Sequence, residues 1–399
     1  MDTTLSPAGL DRLHEAMAVR VAKGELPGLV TLVARGDEVR VDAIGAMAFG
    51  GAEPMRRDTI FRIASMTKPI IAAATMQLVE DGALALDEPV DRLLPELAGR
   101  RVLRRIDGPV DDTVPAARPI TVEDLLAFRM GCGMLTEPTF DPPFPIVEAA
   151  RALPLVEGAP GRDLPVDPDT WLRRFASLPL MYQPGERWQY NTGSQVLGAL
   201  IARAAGQPLE AFLRARLFEP LGMATTGFTL AAEHAHRLPA QYTADVQTGE
   251  VGPIEGTGVD VWTRPPVFPS GAGGLLSTAD DFLAFARLLL DGGVAGERRL
   301  LSERSVELMA TNRLTPEQIA GAGILLSGSG WGLGQAVTVT ADEVSAPGRY
   351  GWAGGYGTNW FNDPDRGLIA MALTQNSGFL WSGAMGEFQG LAAAAAGSG

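Results

Sequence analysis

Residues 28 to 45, GLVTLVARGDEVRVDAIG, hold two runs of apolar and β-branched residues around the polar triplet GDE, which is the pattern of a β-hairpin. Ahead of it, MDTTLSPAGLDRLHEAMAVRV has the spacing of an opening amphipathic helix. TKPIIAAATMQLVEDGALALD is apolar on nearly every side and predicts a buried helix that ends near Gly82. From about 85 to 290 the pattern is helical and rich in loops. TVEDLLAF, DPDTWLRRFASL, GSQVLGALIARAAG, PLEAFLRARLFEPLG and STADDFLAFARLLLDGG carry helical spacing, several behind a Ser, Thr or Asp cap. Strand patterns return in GWGLGQAVTVT, GRYGWAG, TNWFND and GLIAMALTQN, the last two joined by the turn DPDRG. A final helix, GAMGEFQGLAAAAAG, closes the chain.

Strands near both ends with helices between them predict an α+β fold. One antiparallel sheet is assembled from the two termini (1–84 and 291–399) and flanked by helices, with a mainly helical inserted domain at 85–290. A site is expected between the two. The Pro-rich connection of 135–170 is too long for an idle turn and is a candidate pocket cover.

Composition narrows the class. Hydrophobic residues make up 46% of the 399 and charged residues 20%, so the chain reads as an ordinary folded protein. A net charge of −14 argues against a nucleic-acid partner, and the basic stretch GRRVLRRI at 99–106 reads as a solvated helix end or loop. The single cysteine, Cys132, excludes an internal disulfide. An acid at position 2 and the lack of an apolar leader favour the cytoplasm, and no apolar run is long enough for a membrane span.

Candidate chemistry centres on IFRIASMTKPI, residues 60–70, which places Ser65 three positions before Lys68. A serine hydroxyl needs a base to become a nucleophile. The three histidines, His14, His234 and His236, lie in no recognisable partner motif, and there is no G-x-S-x-G elbow. Without a third ligand nearby, His234 and His236 do not make a metal site. Positions three apart share a helix face, so Lys68 can reach Ser65; a lysine held neutral, or a tyrosinate beside it, can take the proton. Ser-x-x-Lys also recurs in unrelated chains, and Ser65 read alone fits a helix cap.

The wider pattern resembles the serine β-lactamase and penicillin-recognising superfamily, in particular the class C β-lactamases and the family VIII carboxylesterases. DTIFRIASMTKPI matches its opening motif, and QPGERWQYNTGSQVLGALIARAAGQPL supplies Pro184, Gly185 and Tyr190 in the expected order. YGWAGGYGTNWFNDP puts Trp352, Ala353 and Gly354 where relatives carry Lys-Thr-Gly or His-x-Gly, close to the Trp-Gly-Gly of the family VIII esterases. ITVEDLLAFRMGCG, EPLGMATTGF, PSGAGGLLSTADDFLAF and GWGLG fit in sequence, so the resemblance spans nearly the whole chain.

The resemblance implies Ser65 as nucleophile, with Lys68 and Tyr190 as a general-base pair. The backbone N–H groups of Ser65 and Gly355 would form the oxyanion hole, and Trp352, Gly354, Tyr356 and Thr192 would line the substrate. It calls for no metal or organic cofactor. Two departures bear on the substrate. Thr192 stands where β-lactamases have the asparagine of Tyr-x-Asn, with the neighbouring Asn191 expected to point elsewhere, and Trp352 cannot pair with a substrate carboxylate as lysine would. Amide and acid recognition are weakened while the nucleophile apparatus stays whole. A small-molecule ester with apolar flanks is the expected substrate; an amide or β-lactam hydrolase and an acyltransferase are the alternatives. Oligomeric state is left open.

Overall fold

In the computed structural model of the chain, the hairpin at 28–45 forms as β1 (Gly28–Arg35) and β2 (Glu38–Gly45). Gly36, in the two-residue turn, takes the left-handed backbone such a turn needs (φ 56°). The structure describes every residue except 1–3, 135–142, 156–163, 246, 247, 249, 255, 343, 398 and 399. Five further strands come from the C-terminal part: β3 (Gly330–Trp331), β4 (Ala336–Val337), β5 (Tyr350–Gly354), β6 (Thr358–Asp363) and β7 (Leu368–Thr374). They join the hairpin in one antiparallel sheet of order β3-β4-β5-β6-β7-β1-β2, so the two ends of the chain meet where β1 pairs with β7, Leu29 opposite Thr374 through Arg35 opposite Leu368.

Side-chain alternation splits the sheet into two apolar faces. Leu29, Val33, Phe361 and Ala370 point outward, where α1 (Pro7–Ala22) and α8 (Ala384–Ala395) cover them with Leu13, Met17 and Phe388. Val30, Leu32, Trp360 and Met371 point inward to a larger core shared with α2 (Thr67–Glu80) and α7 (Ala279–Leu290). β1 is buried along its whole length, whereas β2, at the sheet edge, carries Glu38, Arg40 and Asp42 on a half-exposed strand. Charge there blunts edge-to-edge pairing.

The segment 85–290 holds, among other helices, α3 (Val122–Leu126), α4 (Pro145–Ala152), α5 (Pro168–Ser177) and α6 (Thr192–Ala205), with α2 packed against α6. The same segment also supplies α7 to the sheet. Phe282 and Phe285 lie 5.3 and 6.3 Å from the Trp360 ring, and Asn362 Nδ2 donates to the Ala286 carbonyl at 2.8 Å.

The helical reading of this segment also passed over short antiparallel pairs at Tyr242–Ala244 with Val251–Pro253 and at Arg101–Leu103 with Thr113–Pro115. The latter pair corrects the reading of the basic stretch. It is a strand edge, with Arg104 paired to Asp112, Arg105 to Asp107, and Arg100 buried against the carbonyls of Ala176 and Leu178. Within the expected pocket cover, α4 is described, while 135–142 and 156–163 lie outside the described residues. No single described helix is long and apolar enough to cross a membrane.

Candidate active site

Ser65 does not sit in the first turn of α2, as its spacing suggested, but in the 3-10 turn Ala64–Met66 just before it. The strand Phe61–Arg62, paired with Leu276–Ser277, leads into this turn, and Ala64 adopts a left-handed backbone (φ 43°). A non-glycine residue pays for that conformation, and such strain is characteristic of functional turns. Here it bends the chain from strand to helix so that Ser65 faces a cavity of about 1230 Å³. The N–H of Met66 closes the turn onto the Ile63 carbonyl at 3.0 Å. The N–H of Ser65 belongs to the first donors of a helical run, which have no intrahelical acceptor.

Lys68 is the second residue of α2 and is buried. Its Nζ donates to Ser65 Oγ at 2.9 Å and to the Ala272 carbonyl at 2.7 Å, and lies 4.5 Å from the centre of the Tyr190 ring. The amine is thereby aimed at the serine by a fixed backbone acceptor and an aromatic face, both supplied from elsewhere in the fold. Tyr190 is fixed in turn. Phe128, Trp188 and Trp352 pack round its ring at centroid distances of 5.7, 5.7 and 5.5 Å, and Trp352 Nε1 donates to its phenolic oxygen at 2.8 Å. The Met134 N–H donates to the Tyr190 carbonyl at 2.7 Å, and Cys132, Gly133 and Met134 line the cavity.

The third wall is the end of β5. A Cβ on Gly354 would lie 2.2 Å from the Ile63 carbonyl, so only glycine lets β5 approach the chain leading into Ser65. Thr358 Oγ1 donates to that same carbonyl at 3.3 Å. This close approach brings Gly355, the first residue beyond β5, into the cavity wall with Ser65. A comparable contact lies across the cavity, where a Cβ on Gly271 would meet the Ser194 carbonyl at 2.1 Å. It seats the PSGAGG loop, and with it the Ala272 acceptor of Lys68, against α6.

The structure thus gathers Ser65, Lys68, Tyr190, Trp352, Thr192 and Gly355 around one cavity. Three expectations are corrected. Tyr356 turns away from the cavity and is buried, its carbonyl accepting from Gln241 at 3.0 Å, and Gly354 serves the strand contact, not the lining. Asn191, expected to point elsewhere, lines the cavity beside Thr192. It holds the positive-φ backbone (φ 84°, ψ −60°) of a tight turn closed from Thr192 N–H to the Tyr190 carbonyl at 3.2 Å. Of the VDVWTRPPVFPSGAGG segment, Ala272, Gly273 and Gly274 reach the cavity, while Trp262 is buried against the Arg62 guanidinium.

Two participants were not singled out from the sequence. The Ala272 carbonyl acts through the backbone and so has no side-chain signature; the glycine density of PSGAGG was its only trace. Gln195 was hidden because a glutamine within an apolar helix looks like a surface position. Cys132 shares the wall, but burial pushes its thiol up to about 11, so at neutral pH it is protonated.

The model of the beta-lactamase family matches residues 13–395. Protein Rv1367c of Mycobacterium tuberculosis is 40% identical over 369 residues, covering 88% of this chain and 86% of that protein. Esterase EstB of Burkholderia gladioli is 32% identical over 394 residues, covering 92% and 90%. Among solved structures, EstCE1, described as a hydrolase with promiscuous acyltransferase activity, superposes with a TM-score of 0.79 at 26% identity, over 98% of this chain and 99% of that one. The chain belongs to the beta-lactamase family of serine hydrolases.

Proposed function

We propose that the protein hydrolyses carboxylic esters through an acyl-enzyme on Ser65. The observation that carries this reading is the 2.9 Å contact from Lys68 Nζ to Ser65 Oγ at the cavity, with Tyr190 over the same amine. Ser65 Oγ attacks the ester carbonyl as Lys68 and Tyr190 take its proton. The N–H groups of Ser65 and Gly355 hold the oxyanion, a contribution of roughly 3 to 4 kcal/mol per donor in comparable hydrolases. The proton returns to the departing alcohol, and water repeats the attack with the same pair as base.

Trp352 supports an ester over a β-lactam or peptide. Its indole N–H is engaged by Tyr190, and it offers no charge for a substrate carboxylate. The similarity to Esterase EstB supports the same choice. A second reading, acyl transfer to an alcohol, is favoured by the likeness to EstCE1 and by a cavity large enough for an acyl group and an acceptor together.

The test is a panel of p-nitrophenyl esters of increasing acyl length beside nitrocefin, with and without added alcohols, on wild type and Ser65→Ala. Ester turnover that outpaces nitrocefin and vanishes in Ser65→Ala supports the proposal. Undiminished turnover in the variant overturns the nucleophile assignment. Ester products formed with the alcohols would move the reading to transfer.

A further inference from the structure

α6 begins at Thr192, two residues after Tyr190, and its N-cap and first turn put three polar side chains on the cavity wall: Asn191, Thr192 and Gln195. Gln195 is 3% exposed, yet among the described residues its side-chain amide has no hydrogen-bond partner, and neither have the side chains of Asn191 and Thr192. The Gln195 amide atoms keep access to the cavity, so a substrate group placed there can bond them in place of water. The helix has apolar or small alternatives for the position. Val196, Leu197, Leu200 and Ile201 on the same element are ordinary core residues.

We propose that Gln195, with Asn191 and Thr192, forms a polar subsite that binds a neutral hydrogen-bonding group of the substrate, a hydroxyl, ketone or amide, about one helical turn from the scissile carbonyl. This rests on the ester-hydrolase reading of Ser65 and deepens it. Tyr190 touches the reacting centre, and Gln195 follows Thr192, the first residue of α6, by three positions, a rise of about 4.5 Å along the helix. A substrate chain leaving the carbonyl along α6 meets the strip in that interval. The three groups are uncharged and together both donate and accept, so they suit a neutral polar group and offer no counter-charge to a carboxylate or an ammonium. An extended saturated chain would leave them unsatisfied. The subsite refines the expectation of an ester with apolar flanks: the half along α6 would carry an oxygen or an amide.

The experiment compares matched ester pairs, one member carrying a hydroxyl, ketone or amide three to five atoms from the scissile carbonyl and the other a methylene in its place. One series places the group in the acyl half and a second places it in the alcohol half. The reading is the ratio of kcat/KM for polar over apolar members, in wild type, Gln195→Leu and Gln195→Glu. Wild type is expected to favour a polar member at least tenfold in one series, a ratio that falls to about one or below in Gln195→Leu. Gln195→Glu, which can accept but not donate, should keep a preference for hydroxyl or amide and lose that for ketone.

A ratio near one in wild type in both series, or the same ratio in all three proteins, overturns the subsite. The affinities of the same pairs for Ser65→Ala, measured by calorimetry, read the subsite without turnover. Absence of ester hydrolysis in wild type, with the polar preference present in binding, would reject the esterase reading alone. Equal affinities would reject the subsite alone.

Discussion

At the scale of single residues, the proposed base is oriented by contacts that can each be removed separately. Trp352→Phe keeps an aromatic ring against Tyr190 but deletes the 2.8 Å bond to the phenolic oxygen. A hydrogen bond to a group that gains charge during reaction is worth roughly 1.5 to 3 kcal/mol, so kcat should fall about ten- to a hundredfold with KM little changed. A change confined to KM would make Trp352 a wall residue only. Cys132 gives a pH prediction. With its thiol raised to about 11 by burial, the thiolate fraction at pH 8 is about one in a thousand. Iodoacetamide should leave the native protein unlabelled at pH 8, with labelling rising only as the pH passes 10, as followed by intact mass. Ser65, Lys68, Tyr190 and Trp352 were legible in the sequence because each is a side chain in a fixed order along the chain. Gln195 and the Ala272 carbonyl were not: one looks like any helix polar residue, and the other shows itself only once Gly271 is seen pressed against α6.

At the scale of elements, the candidate active site is a meeting of β5, the turn before α2 and the start of α6, and glycine makes the first of these contacts possible. In Gly354→Ala the new methyl meets the Ile63 carbonyl at 2.2 Å, so β5 must retreat from Ser65. The expected result is a loss of about 1 to 3 kcal/mol in urea unfolding and a disproportionate loss of kcat, since Gly355 moves with the strand. Gly386→Ala is the control: it lies within α8 with open space around it, and should be neutral or slightly stabilising. Most helices and all the longer strands were readable from periodicity. The short strand pairs of the segment 85–290 were not, because two or three residues hold too little alternation to register. The 3-10 turn at Ser65 escaped for a related reason: the residues that follow it are apolar on every side, so the pattern carries no phase to mark where α2 begins.

At the scale of the whole molecule, the sheet is closed by the two ends of the chain. Arg35, buried at the end of β1, donates to the Arg366 carbonyl at 2.9 Å and to the Ala396 carbonyl at 2.5 Å, tying β1 to the β6–β7 turn and to the end of α8. Arg35→Ala should cost about 2 to 4 kcal/mol in urea unfolding, because two carbonyls, one of them buried, lose a charged donor, while a substitution at the exposed Arg304 should cost little. Closure from both termini was legible because apolar strand runs sit at both ends of the sequence. The packing of α7 on the sheet was not, since its helical pattern shows that one face is buried without showing against what.

The central claim, a Ser65 nucleophile activated by Lys68 and Tyr190, is tested most directly by titration with a p-nitrophenyl alkylphosphonate, which forms a stable adduct with an activated serine. The account predicts release of one nitrophenolate per chain and a phosphonyl group on the peptide that contains Ser65, with neither in Ser65→Ala. An adduct on another residue, or full ester turnover with Ser65 left unlabelled, would contradict it.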